Sequence, residues 1–555
     1  MRNLRVYPST GLSLLSGLMI GLSVNHGVNL AFLLPVCMLG VFIALERSAD
    51  WKSWMLHGWV FSLAAMSLAL LGFAWVELVA GSIMILVGSV LFTLPFMALF
   101  VVRRWLGTTD TWSLALLGLI WPPHTWFIKE HLLGFPITLF DISLSNYPVF
   151  IQFMSVTGAT AAASWVIVLN VLVLQVARST GLAAAWHQKR SVRVALVLVW
   201  FSLPLLYAAY AYSVVPRSFT GSVTAAVIQP GFPDPSLDPD SEESQQAMLF
   251  RTLELSEAAL ADTLATGSRP ELLVWPEGEL PFSIRHDPEG LTFIADRVLR
   301  WQTSLITGLS DVEPVRGALP PLQAYLGRDY LLYNAVAMVT PQLAWRVLME
   351  NESAGALHVY RKVNRMPFTE YVPGSERFPR LSELAMEYGE HLHLSAGTSA
   401  PPLAFFSAGR PESSSPADGR VIRVLPYICW DILFPSTHTV GNLRQAQLIT
   451  AHTSGRLFGR DLKTSLLGMK NYTRLRSVEA RKSIINSAST GYSFFTNPFG
   501  EVNGVIDPFT SGYSVGEVPL SQTLTLYHRF PHAFPGLCVI FLILLVVLRR
   551  SAAIL

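Results

Sequence analysis

With 555 residues, 51% of them hydrophobic and only 14% charged, and with a mean hydropathy of +0.41, the chain is too apolar for an ordinary soluble protein and falls among membrane proteins. A formal net charge of +2, with no basic run to track a phosphate backbone, excludes nucleic acid as an expected partner. The apolar residues are concentrated at 9–213 and 531–548, whereas 214–530 has the composition of a globular domain large enough to bury its own core.

A window of about twenty residues, the length that crosses the hydrocarbon core, predicts seven crossings before the polar block. They fall near 9–25, 27–46, 54–74, 79–102, 111–129, 156–177 and 193–213, and an eighth covers 532–548. Basic residues alternate as eight spans require. Arg2 and Arg5 precede the first span, and Arg47 and Lys52 follow the second; Arg103 and Arg104 follow the fourth. Arg178, Lys189, Arg190 and Arg193 follow the sixth, and Arg549 and Arg550 the eighth; Lys129 breaks the alternation. Both termini are therefore expected in the cytoplasm and 214–530 on the outer side. The first apolar run leads directly into another without a small-residue cleavage site, so it reads as an anchor rather than a removed signal peptide. The predicted organisation is a seven-helix transmembrane bundle over 1–213, an extracytoplasmic domain over 214–530, and a last transmembrane helix with a cytoplasmic tail over 531–555.

Within the outer block, SVTAAVIQP, ELLVWPE, SLITGLSD, LYNAVAMVT, VIRVLPYIC and AQLITA read as strands, and the stretch from Ser241 reads as a helix that Ser241 caps. This alternation predicts an α/β layered domain. PPLAFFSAGRPESSSPADGR is rich in Pro, Ser and Gly and reads as a surface loop. Arg456–Asp461 and Phe127–Leu139 are candidates for mobile segments that act as lids.

Three reactive side chains stand out: Glu277 in LLVWPEGELPF, Lys362 in VYRKVNRMPFTEYVPG and Cys429 in YICWDILFP. Cys37 and Cys538 lie in membrane-length apolar runs and read as small hydrophobes, so Cys429 has no disulfide partner in its block. The carboxylate and the thiol follow strand-like runs, where α/β sheets present functional groups at a crevice. A thiol needs a base or a lowered pKa, which Glu277 would supply by taking its proton. Lys362 would favour thiolate and stabilise the oxyanion of an attacked acyl carbonyl. Glu370, eight residues later, would hold the lysine charged and oriented. Spacing alone leaves the plainer alternatives open. Cys429 fits an inert core residue, Lys362 a basic surface stretch with Arg361 and Arg365, and Glu277 a solvated loop carboxylate, which is also the expectation for Glu279.

In this order, WPE, the lysine followed by PFTEYVP, and ICWDILFP resemble the motifs of the nitrilase superfamily, whose Glu-Lys-Cys site sits on an αββα sandwich. With seven spans before the domain and one after, GFP at 134–136, VIQPG at 227–231 and ARKSIINSASTGYSFFTNPFG near the end, the chain is similar to the apolipoprotein N-acyltransferases. The resemblance implies a bacterial inner-membrane enzyme with a periplasmic catalytic domain. Glu277 would be the general base, Lys362 the oxyanion partner, Cys429 the nucleophile, and Glu370, Trp430 and Asp431 supporting residues. It implies that Cys429 takes an acyl chain from a phospholipid as a thioester and passes it to the amine of a diacylglyceryl-cysteine lipoprotein. Trp430 and Asp431 depart from the Tyr-Glu pair usual in the family, Thr369 departs from its PFGE form, and HTSGRLFG keeps only Phe458 and Gly459 of Asn-Asp-x-Trp-Phe-Gly. These changes bear on lipid selectivity and on the amine acceptor. Without a metal-ligand cluster or a Gly-rich phosphate loop, no cofactor and no metal are expected. The competing readings are a membrane-tethered amidase that uses water as acceptor, and a non-catalytic lipoprotein-binding paralogue.

Overall fold

The computed structural model describes residues 6–24, 30–76, 78–131, 138–179, 184–231, 241–262, 267–281, 283–353, 355, 357–384, 393–398, 402–407, 420–434, 440–455 and 463–554. The chain divides into two compact units, Met1–Val215 with Asp461–Glu479 and Thr525–Leu555, and Pro216–Arg460 with Ala480–Leu524. GFP at 134–136, Pro435 and the candidate lid Arg456–Asp461 lie outside the described residues, as do positions 132–137 of the candidate lid Phe127–Leu139.

The first unit is a set of apolar helices. Among the described residues, two are long and apolar enough to cross a membrane, Gly81–Leu106 and Arg190–Ser218. A third crossing is reached if Pro148–Thr157 and Ala161–Ala177, bent by 119°, count as one. The run predicted as a single crossing at 27–46 is not one helix. It is a 3-10 turn, Ala31–Leu33, followed by a helix at Leu39–Glu46. Pro35 has no amide hydrogen to continue a helix. The backbone groups freed there are taken up by Asn170, whose amide donates to Leu34 O at 2.7 Å and accepts from Met38 N at 2.9 Å. An irregular backbone of this kind is stable in an apolar setting only where protein groups satisfy it. The sixth predicted crossing is likewise broken, at Gly158, whose φ of +78° places it in the left-handed region that glycine tolerates.

The second unit is built on two six-stranded sheets. The first has the order β12-β1-β2-β3-β4-β5 and the second β11-β10-β9-β8-β7-β6. The strands are β1 Phe219–Gln229, β2 Leu272–Val274, β3 Ser304–Pro314, β4 Tyr330–Val339, β5 Val359–Arg361, β6 Leu403–Ser407, β7 Arg420–Ile428, β8 Leu448–Thr453, β9 Ile484–Ala488, β10 Ser493–Thr496, β11 Val502–Ile506 and β12 Gly512–Ser521. Each sheet has a parallel trio, β1-β2-β3 and β7-β8-β9, flanked by antiparallel strands. The stretch expected to be a surface loop from Pro401 contributes β6, because the alternation in Leu403-Ala404-Phe405 places Leu403 and Phe405 in the core.

A buried cluster that includes Val227, Val274, Ile306, Val336, Val424, Ile428, Leu448 and Ile485 joins the facing surfaces of the sheets. The other face of the first sheet is covered by the helices Glu242–Ala261, Pro288–Trp301 and Pro341–Met349 through a second cluster around Trp275, Ile294, Val298 and Ala344. Their starts follow ordinary capping chemistry. Ser241, Asp287 and Thr340 each accept the backbone N–H three residues on. Layers of helix and sheet around a shared apolar interior are what the β-branched runs and amphipathic helices require.

Candidate active site

The strands of the second unit end where the reactive residues begin. Cys429 directly follows β7, Lys362 directly follows β5, and Glu277 lies three residues beyond β2. Chain geometry at the strand ends therefore brings together side chains 67 to 152 positions apart in sequence.

The Glu277 turn is laced to β3. Trp275 N donates to Ile306 O at 2.9 Å, Gly308 N to Pro276 O at 3.0 Å, and Leu280 N to Gly308 O at 3.1 Å. Gly308 has to be glycine, because a Cβ there would lie 2.5 Å from Pro276 O and from Gly278 N. An isolated glycine inside a strand commonly marks such a close backbone approach.

Lys362 is 2% exposed. Its backbone N donates to Asn334 O at 2.8 Å, which extends the β4-β5 pairing by one residue and turns the side chain inward. Arg361, one residue earlier on the strand, points the other way. It pairs with Asp311 at 2.7 Å and with Glu313, and lies over Tyr333 at 4.0 Å. The alternation of a strand separates the two cations, so the basic-surface alternative does not describe Lys362.

Lys362 Nζ donates to Glu370 Oε1 at 2.7 Å and lies 3.6 Å from Glu277 Oε1. Asn334, on β4, spans both carboxylates, donating to Glu277 at 2.7 Å and to Glu370 at 3.2 Å. Glu370 is held in turn by Met366 N at 2.6 Å. Glu277 Oε2 is buried and receives no hydrogen bond among the described residues, while the Cys429 thiol is close enough to Glu277, Lys362 and Glu370 for their charges to act on it. Burial would pull the Lys362 ammonium down, but Glu370, Cys429 and Glu277 together raise it above the ordinary lysine range. Burial, reinforced by Glu277, pushes the Cys429 thiol up; Lys362 opposes this without overcoming it. Lys362 alone therefore does not favour the thiolate against burial and Glu277.

Cys429 has a φ of +45°, a strained conformation for a residue with a Cβ, at the junction of β7 and the 3-10 turn Cys429–Leu433. Such strain costs on the order of 1–3 kcal/mol and persists only when surrounding contacts enforce it. Asp431 provides those contacts. Fully buried, it accepts from Tyr360 OH at 2.9 Å, Asn364 N at 2.7 Å, Asn364 Nδ2 at 3.1 Å and Ile428 N at 3.3 Å. The turn that carries Cys429 is thereby tied to the segment that carries Lys362. Burial pushes the Asp431 carboxyl up to about 6, against Lys362 and these hydrogen bonds. Trp430 is half-buried on the same turn. Thr369 is buried and donates to Met366 O at 3.2 Å. Beside it, Phe368 has a φ of +66°, a second strained residue near the site.

Glu279, expected in solvent, is 4% exposed and accepts from Thr252 Oγ1 at 2.5 Å. The turn after Glu277 runs back over the helix Glu242–Ala261, which seals Glu279 inside. Sequence reasoning passed over Asn334, Tyr360 and Asn364. Asn334 left one trace, as the only amide in an otherwise apolar strand.

Two family descriptions match the chain: carbon-nitrogen hydrolase over residues 224–526, and apolipoprotein N-acyltransferase N-terminal domain over 16–172. An apolipoprotein N-acyltransferase of Chlorobaculum tepidum is 27% identical over 541 residues, covering 95% of this chain and 94% of the relative. One of Rhizobium etli is 25% identical over 394 residues, covering 70% and 64%. Among solved structures, the C. elegans NitFhit protein is similar at 18% identity and a TM-score of 0.34, covering 56% of this chain and 64% of that one. An amidase from Nesterenkonia sp. is similar at 18% identity and a TM-score of 0.32, covering 56% and 94%. The carbon-nitrogen hydrolase match takes in more than half of the chain and all of Glu277, Lys362, Glu370 and Cys429. The chain belongs to the carbon-nitrogen hydrolase, or nitrilase, family, and within it to the apolipoprotein N-acyltransferases.

Proposed function

We propose that the chain moves a fatty acyl group from a phospholipid to the N-terminal amine of a diacylglyceryl-cysteine lipoprotein through a thioester on Cys429. The meeting of Glu277, Lys362, Glu370 and the Cys429 thiol at the strand ends of a chain that also carries membrane-length apolar helices supports this conclusion above all. Relatives named apolipoprotein N-acyltransferase support the choice of donor and acceptor.

In the first half-reaction Glu277 takes the thiol proton as sulfur attacks the ester carbonyl. Lys362, kept charged by Glu370, stabilises the oxyanion. Collapse expels the lysophospholipid alkoxide, which takes the proton from Glu277 and leaves the acyl group on sulfur. In the second, the lipoprotein amine attacks the thioester and Glu277 accepts its proton. That proton returns to sulfur as the thiolate leaves.

The eight-crossing arrangement, with both termini in the cytoplasm and 214–530 in the periplasm of the bacterial inner membrane, belongs to the same proposal. It rests on the alternation of basic residues. An acyl chain drawn sideways from the bilayer avoids exposure to water, which costs about 0.8 kcal/mol per CH₂. Membrane segments before and after the domain suit such a donor.

The test uses purified full-length protein, a phospholipid labelled in its acyl chain and then a diacylglyceryl lipopeptide, with mass spectrometry of Cys429 and of the peptide. Label on Cys429 that passes to the peptide amine is expected. Label released only as free fatty acid would make the protein a hydrolase, and no adduct would make it a binding protein. Cys429→Ser is expected to abolish capture with the thermal unfolding midpoint unchanged, and undiminished capture would mean a different nucleophile.

A further inference from the structure

We infer that His452 is a positioning residue that sets the separation between the turn carrying Glu277 and the turn carrying Cys429; this rests on the reading of those two residues as base and nucleophile. His452 is fully buried on β8 and lies in register with Ile428 of β7, the residue immediately before Cys429. Its side chain crosses the sandwich to the first sheet, where Nδ1 is 2.7 Å from the carbonyl oxygen of Trp275, two residues before Glu277. A carbonyl oxygen only accepts, so Nδ1 carries the proton and Nε2 is left to accept from Thr450 Oγ1 at 3.0 Å. Burial holds the imidazole pKa down to about 4, which keeps one neutral tautomer at working pH.

One rigid ring thus joins the backbone of the base-bearing turn to the strand beside the nucleophile-bearing strand. The Glu277 turn has its backbone hydrogen bonds to β3 within its own sheet. These fix its place in that sheet, and the His452 contact fixes its distance from the other. A neighbouring residue supplies the comparison. Ser487 of β9, in register with His452, donates across the sandwich to Ile228 O at 2.9 Å, but it ties strands that carry no reacting group.

The experiment compares His452→Leu, His452→Asn, His452→Gln and Ser487→Ala in the purified full-length protein. It measures the rate of thioester formation from labelled phospholipid, its dependence on donor concentration, and thermal unfolding. The asparagine amide sits where Nδ1 does and keeps the donor to Trp275, whereas the glutamine amide reaches the Nε2 position and does not. The leucine and glutamine variants are expected to lose about 100-fold in kcat with KM unchanged, the scale of a misplacement of about 1 Å. The asparagine variant should recover to within about fivefold of wild type, and Ser487→Ala to within about twofold. If the leucine variant does not fold, the asparagine and glutamine variants decide by the same criterion. Equal rates for asparagine and glutamine, or a folded leucine variant as active as Ser487→Ala, would overturn the assignment. A Glu277→Gln protein that forms thioester at the wild-type rate would instead overturn the reading of the base.

Discussion

Two lysines are buried in the second unit, and their surroundings give them opposite chemistry. Lys362 sits between Glu370 and Glu277 beside a thiol, and these neighbours outweigh burial and hold it charged. Lys482, with no exposed surface, donates among the described residues only to backbone carbonyls, Ser521 O at 2.9 Å and Thr523 O at 3.3 Å. Burial there pulls its pKa down to about 7. The difference teaches that depth does not decide what a buried lysine does. A carbonyl dipole satisfies its hydrogens, but only a carboxylate pays the desolvation cost of its charge. The first lysine suits the proposed stabilisation of an oxyanion, and the second fastens the end of β12.

The contrast is sharpest when each ammonium is removed. Lys362→Met should lower the single-turnover rate of thioester formation by on the order of 10³-fold, as the loss of an oxyanion partner does. The same change at position 482 should leave that rate within about threefold. Equal losses would mean that both lysines serve structure alone. Next in size is Glu370→Gln, expected to cost about 10- to 100-fold in the same assay. Because Glu370 is the largest of the contributions that raise Lys362 against burial, its removal lets burial draw the lysine pKa down. In the proposed reaction Lys362 acts in its charged form, which is lost as pH rises. The alkaline fall of activity should therefore begin at lower pH in the Glu370→Gln protein, and an unshifted alkaline limb would break the comparison.

The smallest effect belongs to Lys482 and concerns stability. Its folded pKa, about 7, lies below the unfolded value of 10.5, so between these limits the unfolded chain binds more protons and stability rises with pH. The stability of the wild type should climb from pH 7 toward pH 10, an increment lost progressively as pH falls from 10 to 7. In Lys482→Met that part of the slope should vanish, measured as the unfolding midpoint across the range. A slope identical to wild type would show that Lys482 stays charged in its pocket.

Glu277 and Cys429 were legible because each follows a strand-like run in a recognisable motif, and an apolar run that ends at a reactive side chain is a local signal; Lys362 was legible from its motif alone. The helix from Ser241 was equally legible, since a cap and a periodic face are contained within a few turns. Glu279 was not. Two residues from Glu277 and chemically identical, it is buried only because the turn folds back over a helix distant in sequence. The second apolar run was long enough for a crossing by composition, yet it is broken where Asn170, far along the chain, takes over its backbone hydrogen bonds. Asp431 looked like a shorter replacement for a site carboxylate, and its role as the clamp of the turn at Cys429 depends on Tyr360 and Asn364.

By itself the sequence determined what each segment is able to be. Its hydropathy marked the apolar stretches, its strand-like runs marked six of the twelve strands of the α/β domain, and its motifs named the three reactive side chains, because propensity and side-chain chemistry are carried by neighbours along the chain. Only the tertiary structure decided which carboxylate is buried, which lysine stays charged, where an apolar run breaks and what enforces the strained turn at Cys429. Those outcomes are set by desolvation and hydrogen bonding among groups far apart in sequence, whose energies take their sign only when the chain has brought the partners together.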